Sequence, residues 1–276
     1  MTEESPLLYQ HSGKMGSAPL LVPVLGVPLL FVTSLIYGYI AVYSPIVGYL
    51  TVLILLGYVF VNGFGLALIA RFARCRSERF LWLAGLGAGL VALYFSWAEF
   101  EHALINRYAS GGQHVAQAEI LLSPGAMWGV AGEIAAEGWY AVFGATPSGF
   151  VLWLMWLVEA GIIVGGVTLF TAAAISREVY CEDCGKWCGT AEECRLKIDP
   201  EFLTRPVESV SHAELLALPP QKGRAYPHVK AEVLCCEKCK QTTAMRFSRL
   251  TQEVNSDGKK EEKSQDIPGI LLQPRE

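Results

Sequence analysis

Uncharged apolar runs dominate the first two-thirds of the chain and then stop abruptly. Residues 20–43, 46–70, 80–97 and 150–174 are almost wholly apolar, and Glu159 is the one charged side chain among them. A bilayer core about 30 Å thick needs roughly 20 residues of helix at 1.5 Å rise, so each run predicts a membrane-spanning helix or close to one. Ser44 and Pro45 separate the first two runs. Pro45 lacks the N–H that a continuing helix needs, so the pair predicts a tight hairpin and not one bent helix. Residues 1–19 read as a mildly acidic leader. The run after it is too long for a signal-peptide core and is expected to stay in the chain.

The short loops set the expected orientation, because Lys and Arg are held on the cytoplasmic side. Between runs two and three stand Arg71, Arg74, Arg76 and Arg79 against Glu78 alone. Residues 98–149 carry Arg107 against Glu99, Glu101, Glu119, Glu133 and Glu137. The first loop reads as cytoplasmic and the second as external, which with four crossings places both termini in the cytoplasm. Within the external loop, 125–143 is apolar and holds Trp128, Trp139 and Tyr140 between Pro124 and Pro147. A fifth crossing would bury Glu133 and Glu137 at roughly 2.5–3.5 kcal/mol each, so the segment is expected to lie at the interface with both carboxylates wet.

Small and polar residues inside the spans are the candidates for helix contact and for function. Gly161 with Gly165, Gly85 with Gly89, and Gly57, Gly63 and Gly65 have spacings that let helix backbones approach; they predict bundle packing, and a homodimer through the Gly-rich spans is the alternative. Glu159 falls near the midplane of the fourth span, where a carboxylate needs a partner or a water-filled cavity. Asn62, Ser34 or Thr33 are its expected partners. Outside the membrane, Glu99 and His102 form a single E-x-x-H turn, with His114 beyond Ser110-Gly111-Gly112. Paired copies of that spacing build di-iron sites. One copy predicts only a solvated acidic helix end.

From Arg177 onward 16 basic and 17 acidic residues nearly balance, and seven of the eight cysteines lie there. Cys181-Glu-Asp-Cys184-Gly185 and Cys236-Glu-Lys-Cys239 are two C-x2-C pairs, each placing two thiolates on one turn. Two such turns offer four sulfurs at tetrahedral positions about 2.3 Å from a Zn²⁺ ion. Residues 228–235 and 244–248 alternate apolar and polar side chains and predict short strands beside the second pair. Residues 208–218 read as a short helix capped by Ser211 with Glu214 at its third position.

The two pairs with their strands resemble the zinc ribbon over residues 177–251, which implies one structural zinc held by Cys181, Cys184, Cys236 and Cys239. The spacer between the pairs exceeds the usual 15–20 residues, so an insertion is expected to loop out. Cys188, Cys194, Cys235 and His228 are further candidate ligands, by exchange into the same site or in a second one that could also include His212. A unit of about 75 residues is near the size at which a core needs a staple, and a reducing cytoplasm argues against disulfides. Residues 252–276 read as a disordered tail, although Ile270-Leu271-Leu272 could dock onto a surface.

The composition agrees with this division: 276 residues, 52% hydrophobic and 17% charged, with a mean hydropathy of +0.34. Soluble domains carry about 25% charge. A net charge of -4 supplies no basic footprint, so nucleic acid is not an expected partner. Walker, G-x-G-x-x-G, H-E-x-x-H and G-x-S-x-G motifs are all missing, which removes the usual residues for nucleotide and hydrolytic chemistry. The expected architecture is an all-α four-helix transmembrane bundle with a small β-rich, zinc-ribbon-like cytoplasmic domain. The expected role is non-enzymatic: a multi-pass protein, suited to a bacterial inner membrane, whose tail binds zinc and a protein partner. The alternatives are a small transporter or channel subunit that uses Glu159, and a membrane thiol oxidoreductase that cycles Cys181 and Cys184.

Overall fold

The computed structural model describes residues 8–43, 49–108, 114–138, 146–223, 225–255 and 259–272. They form two compact units, one of residues 13–176 and one that joins the N-terminal segment up to Ser12 with the chain from Arg177 onward. Two expectations, the Ser44-Pro45 hairpin and the Trp139 and Tyr140 anchors, lie outside the described residues.

The first unit is helical: α1 Ala18–Tyr43, α2 Tyr49–Phe72, α3 Glu78–Tyr108, α4 Gln117–Leu121, α5 Pro124–Glu137 and α6 Gly149–Ala172. Helices α1, α2, α3 and α6 are long and apolar enough to cross a membrane. Each packs chiefly against two others in the cyclic order α1, α2, α6, α3. Leu53, Leu83 and Leu157 are more than 60% exposed, and similar side chains surround the bundle. Water would penalise such a surface, whereas hydrocarbon does not.

Close approach within the bundle depends on glycines, though not all of those the spacing suggested. A methyl group on Gly85 or Gly89 of α3 would lie 2.9 Å from the Cα of Thr168 or Val164 of α6. One on Gly38 of α1 would lie 2.7 Å from the backbone of Glu99. Any side chain at these three positions would push the helices apart. Gly161, Gly165 and Gly57 have no atom within 4 Å of such a methyl group, so they serve no contact inside this bundle.

Helix α3 runs about three turns beyond the expected end of the third span, and α4 and α5 pack over that extension. In α5, Met127, Ala131 and Ala135 are buried at four-residue intervals while Glu133 and Glu137 are exposed. This amphipathic helix has 14 residues, about 21 Å. It is too short to cross a 30 Å core.

The second unit is built on an antiparallel four-stranded meander in the order β3 Gly189–Lys197, β4 His228–Cys235, β5 Thr243–Val254 and β6 Lys260–Leu272, beside a small hairpin of β1 Tyr180–Cys181 and β2 Lys186–Trp187. Helices α7 Pro200–Thr204 and α8 His212–Ala217 bridge β3 and β4. Phe202, Val210 and Leu215 from this bridge pack against Val229, Ala231 and Phe247 of the sheet. Ser211 and Glu214 close a reciprocal capping box on α8, satisfying donors that a helix start otherwise leaves open.

Three features correct the sequence reading. The spacer between the cysteine pairs does not simply loop out, because β3 pairs with β4 along its length. Residues 260–272, read as part of a disordered tail, form β6, which pairs with β5 from Val254↔Lys260 to Ala244↔Leu272. Its many charges suit an edge strand, and its apolar end anchors it through Ile267, Ile270 and Leu271, all buried. Pro268 and Gly269 fall where the register shifts, with Gly269 at φ +90°, so the proline sits where no ladder donor is needed. Residues 8–12 of the leader, finally, belong with this unit: Leu8 bridges Leu271, and the Tyr9 N–H donates to the Ile270 carbonyl at 2.8 Å.

Candidate metal centre

Each C-x2-C pair folds into the same turn. In the first, the Gly185 N–H donates to the Cys181 carbonyl at 2.9 Å, and Gly185 is left-handed at φ +65°. In the second, the Lys240 N–H donates to the Cys236 carbonyl at 2.8 Å, and Lys240 is left-handed at φ +56°. A left-handed residue after the second cysteine turns the chain so that both thiols point to the same side. Glycine does this without a steric penalty, whereas a side chain pays roughly 1–2 kcal/mol. The second turn therefore holds strain at Lys240.

The sheet brings the two turns together. The first is the loop of the β1–β2 hairpin and the second is the connection between β4 and β5. The Cys188 N–H donates to the Val179 carbonyl at 2.8 Å, and the Cys236 N–H to the Thr242 carbonyl at 3.1 Å, closing the base of each turn. The Sγ atoms of Cys181, Cys184, Cys236 and Cys239 all lie within 4.8 Å of one another, and those of Cys181 and Cys239 are 3.7 Å apart. Four sulfurs about 2.3 Å from one tetrahedral ion are about 3.8 Å apart, so the cluster has the size of a metal site.

Within the cluster, hydrogen bonds converge on Cys239. The Gln241 backbone N–H, with further donors from Cys184, Thr242 and Cys181, lowers the Cys239 thiol to about 6. Its bond to Cys239, together with burial, pushes Cys184 up to about 12. Thr242 Oγ1 also donates to Cys181 Sγ at 3.2 Å. Cys239 is the sulfur poised as a thiolate, and Cys184 holds a proton that a metal would displace.

The remaining candidate ligands stay out of this cluster. Cys188 is buried beside it, packed with Val179, Leu234 and Ala244, and burial pushes its thiol up to about 12. Cys194 is exposed on β3, and Cys235 directs its Sγ toward the Cys236 carbonyl. His228 begins β4, at the opposite end of the strand from Cys235, and its Nδ1 is 3.0 Å from the Ala225 carbonyl. His212 packs its ring near Phe247. Among the described residues no second metal-sized cluster forms.

The leader reaches the same site. The Tyr9 hydroxyl accepts from the Tyr180 N–H at 3.0 Å, and the Ser12 hydroxyl donates to Glu182 Oε1 at 2.6 Å. His11 packs edge-on against Trp187. A polar leader gives no periodic signal, and only the chemistry of Tyr9 and the apolar Leu8 could have marked it.

The polar residues of the bundle pair differently from the expectation. Tyr37 of α1 donates to Glu159 Oε1 at 2.6 Å, so neither Asn62 nor Ser34 is its partner. Asn62 lies against Thr33 and donates to the Tyr58 carbonyl at 3.0 Å, while Ser34 pairs with the Tyr58 hydroxyl at 2.7 Å. Tyr37 and Tyr58 stack with centroids 4.6 Å apart. The E-x-x-H turn is not solvated: Glu99 and Glu101 are 0% and 1% exposed, and α1 approaches the Glu99 backbone at Gly38. Gln117 donates to Glu99 Oε1 at 2.6 Å. Residues 110–112 before His114 lie outside the described residues.

No family model, curated protein or solved structure matches this chain.

Proposed function

We propose that this is a non-enzymatic, multi-pass membrane protein whose sheet unit is a zinc-ribbon-like module holding one structural Zn²⁺ on Cys181, Cys184, Cys236 and Cys239. The observation that carries the reading is the convergence of four sulfurs from two turns of matching geometry. Four soft donors in a tetrahedral arrangement favour zinc or iron, and a site closed by four protein ligands is structural. Zinc fixes the knuckle end of the sheet, which then serves as a docking surface for a protein partner. The leader and the chain after Arg177 share one unit, which supports an even number of crossings and, with the arginines of the 71–79 loop, both termini in the cytoplasm.

Elemental analysis of the purified full-length chain, combined with thiol titration, tests this reading. About one zinc per chain is expected, with four thiols masked until a chelator is added. Cys236→Ser should lose the metal, whereas Cys194→Ser should keep it. Metal-free protein with a reversible Cys181–Cys184 disulfide would overturn the proposal in favour of thiol exchange.

A second reading takes Glu159 as the working group of a transporter or channel subunit. It is favoured by the Tyr37–Glu159 bond, which joins the carboxyl to the stacked Tyr58 and to Ser34 across three helices. Glu159→Gln keeps the hydrogen-bonding shape but loses the charge. Loss of ion flux in vesicles with an unchanged melting temperature would favour this reading, and unchanged flux would exclude it.

A further inference from the structure

The bundle contains an apolar cavity that the metal centre and the Glu159 network do not use. It occupies about 700 Å³ between α3, α5 and α6, within the range of about 300–1,000 Å³ typical of small-ligand sites. Its walls are Trp97, Met127, Trp128, Phe150, Trp153 and Trp156, completed by leucines and alanines, with no charged residue among the lining. The indoles fix one another: Trp97 and Trp153 each meet Trp156 edge to face at 4.8 and 5.1 Å, and Trp128 stacks on Trp153 at 5.7 Å. Tyr94, which also lines it, spends its hydroxyl on the Leu121 carbonyl at 2.6 Å.

What fills this space follows from its walls and its surroundings. An ordered water needs two to four polar partners, and this lining does not supply them. Left empty, the walls would lose the dispersion contacts that packed atoms make. The lining continues without a break into the outward apolar surface: Phe150, Trp128 and Leu157 are 80%, 69% and 68% exposed. On helices that cross a membrane, that surface faces hydrocarbon. We infer that the cavity is a lipid site that takes one acyl chain of a membrane glycerolipid, held between the tryptophans of α3, α5 and α6.

Met127 makes the inference testable, because it lines the cavity yet is only 8% exposed. The full-length chain is reconstituted in dioleoyl phosphatidylcholine vesicles doped with phosphatidylcholine that carries a diazirine on one acyl chain. After irradiation the labelled residues are mapped by mass spectrometry. Met127 should be labelled at least as strongly as Leu53, which lies on the outer face of α2 and is 61% exposed. Ala160→Phe, which fills the cavity from α6, should cut labelling of Met127 about fivefold and leave Leu53 unchanged. Should that variant fail to fold, as judged by its helical melting curve, Ala160→Leu takes its place. An unlabelled Met127 in the wild-type chain overturns the inference. So does labelling that Ala160→Phe or its replacement leaves untouched.

Discussion

Glu232 shows how one side chain ties the outer face of the sheet together. Its carboxylate accepts from Lys230 at 2.7 Å and from Arg246, which also donates to the Arg177 carbonyl at 3.0 Å. Burial alone would raise its pKa, but the bonds from Arg246 and Lys230 outweigh burial and hold it below the usual carboxylate value. A depressed native pKa adds stability that is fully present above about pH 4.3, the unfolded value, and is lost as pH falls through the native one. Thermal unfolding of the full chain between pH 7 and 3 should therefore show an acid-side loss that Glu232→Gln reduces. At pH 7 the same substitution should cost about 1.5–3 kcal/mol, the worth of a hydrogen bond to a charged group.

At this scale the cysteines were legible because C-x2-C spacing is itself the geometry of the turn. The partner of Glu159 was not legible. Tyr37, Ser34 and Thr33 all lie on one helix, and only the rotation of α1 within the bundle selects among them.

Among the elements, β6 departs most from what its residues suggest alone. Lys259, Lys260, Glu261, Glu262 and Lys263 have no apolar period. The strand is ordered by its long-range pairing with β5 and by three buried side chains at its far end, contacts that local pattern does not reveal. By contrast, β4 alternates and is bounded by a proline and a cysteine turn, so its pattern sufficed. Strand β3 was hidden in the same way as β6, by a polar sequence with most of its residues exposed. Truncation after Asn255 should lower the unfolding temperature of the sheet unit by several degrees or more and promote aggregation, because it uncovers the β5 edge together with Phe247. Unaltered unfolding would mean that β6 adds nothing to the sheet.

The molecule as a whole holds two units stabilised by different means. The bundle relies on a lipid-matched surface and on glycine contacts between helices. The sheet unit has a modest core next to four sulfurs. Structural zinc contributes roughly 10–16 kcal/mol in small modules, comparable to the whole stability of a domain, about 5–15 kcal/mol. Chelation of the proposed zinc from the full chain in detergent should therefore unfold the sheet unit and leave the helical signal intact, as followed by circular dichroism with thiol counting. A single transition that removed both signals would mean that the bundle depends on the metal.

The pairing of Leu8 with Leu271 also fixes an order of events during synthesis. Residue 8 leaves the ribosome before residue 271, with all four spans made in between. Leu8 and the Tyr9 N–H find their partners only once residues 270 and 271 have been made. A product that stops short of β6 lacks the strand that receives Leu8, so this unit closes only after all four spans have been made.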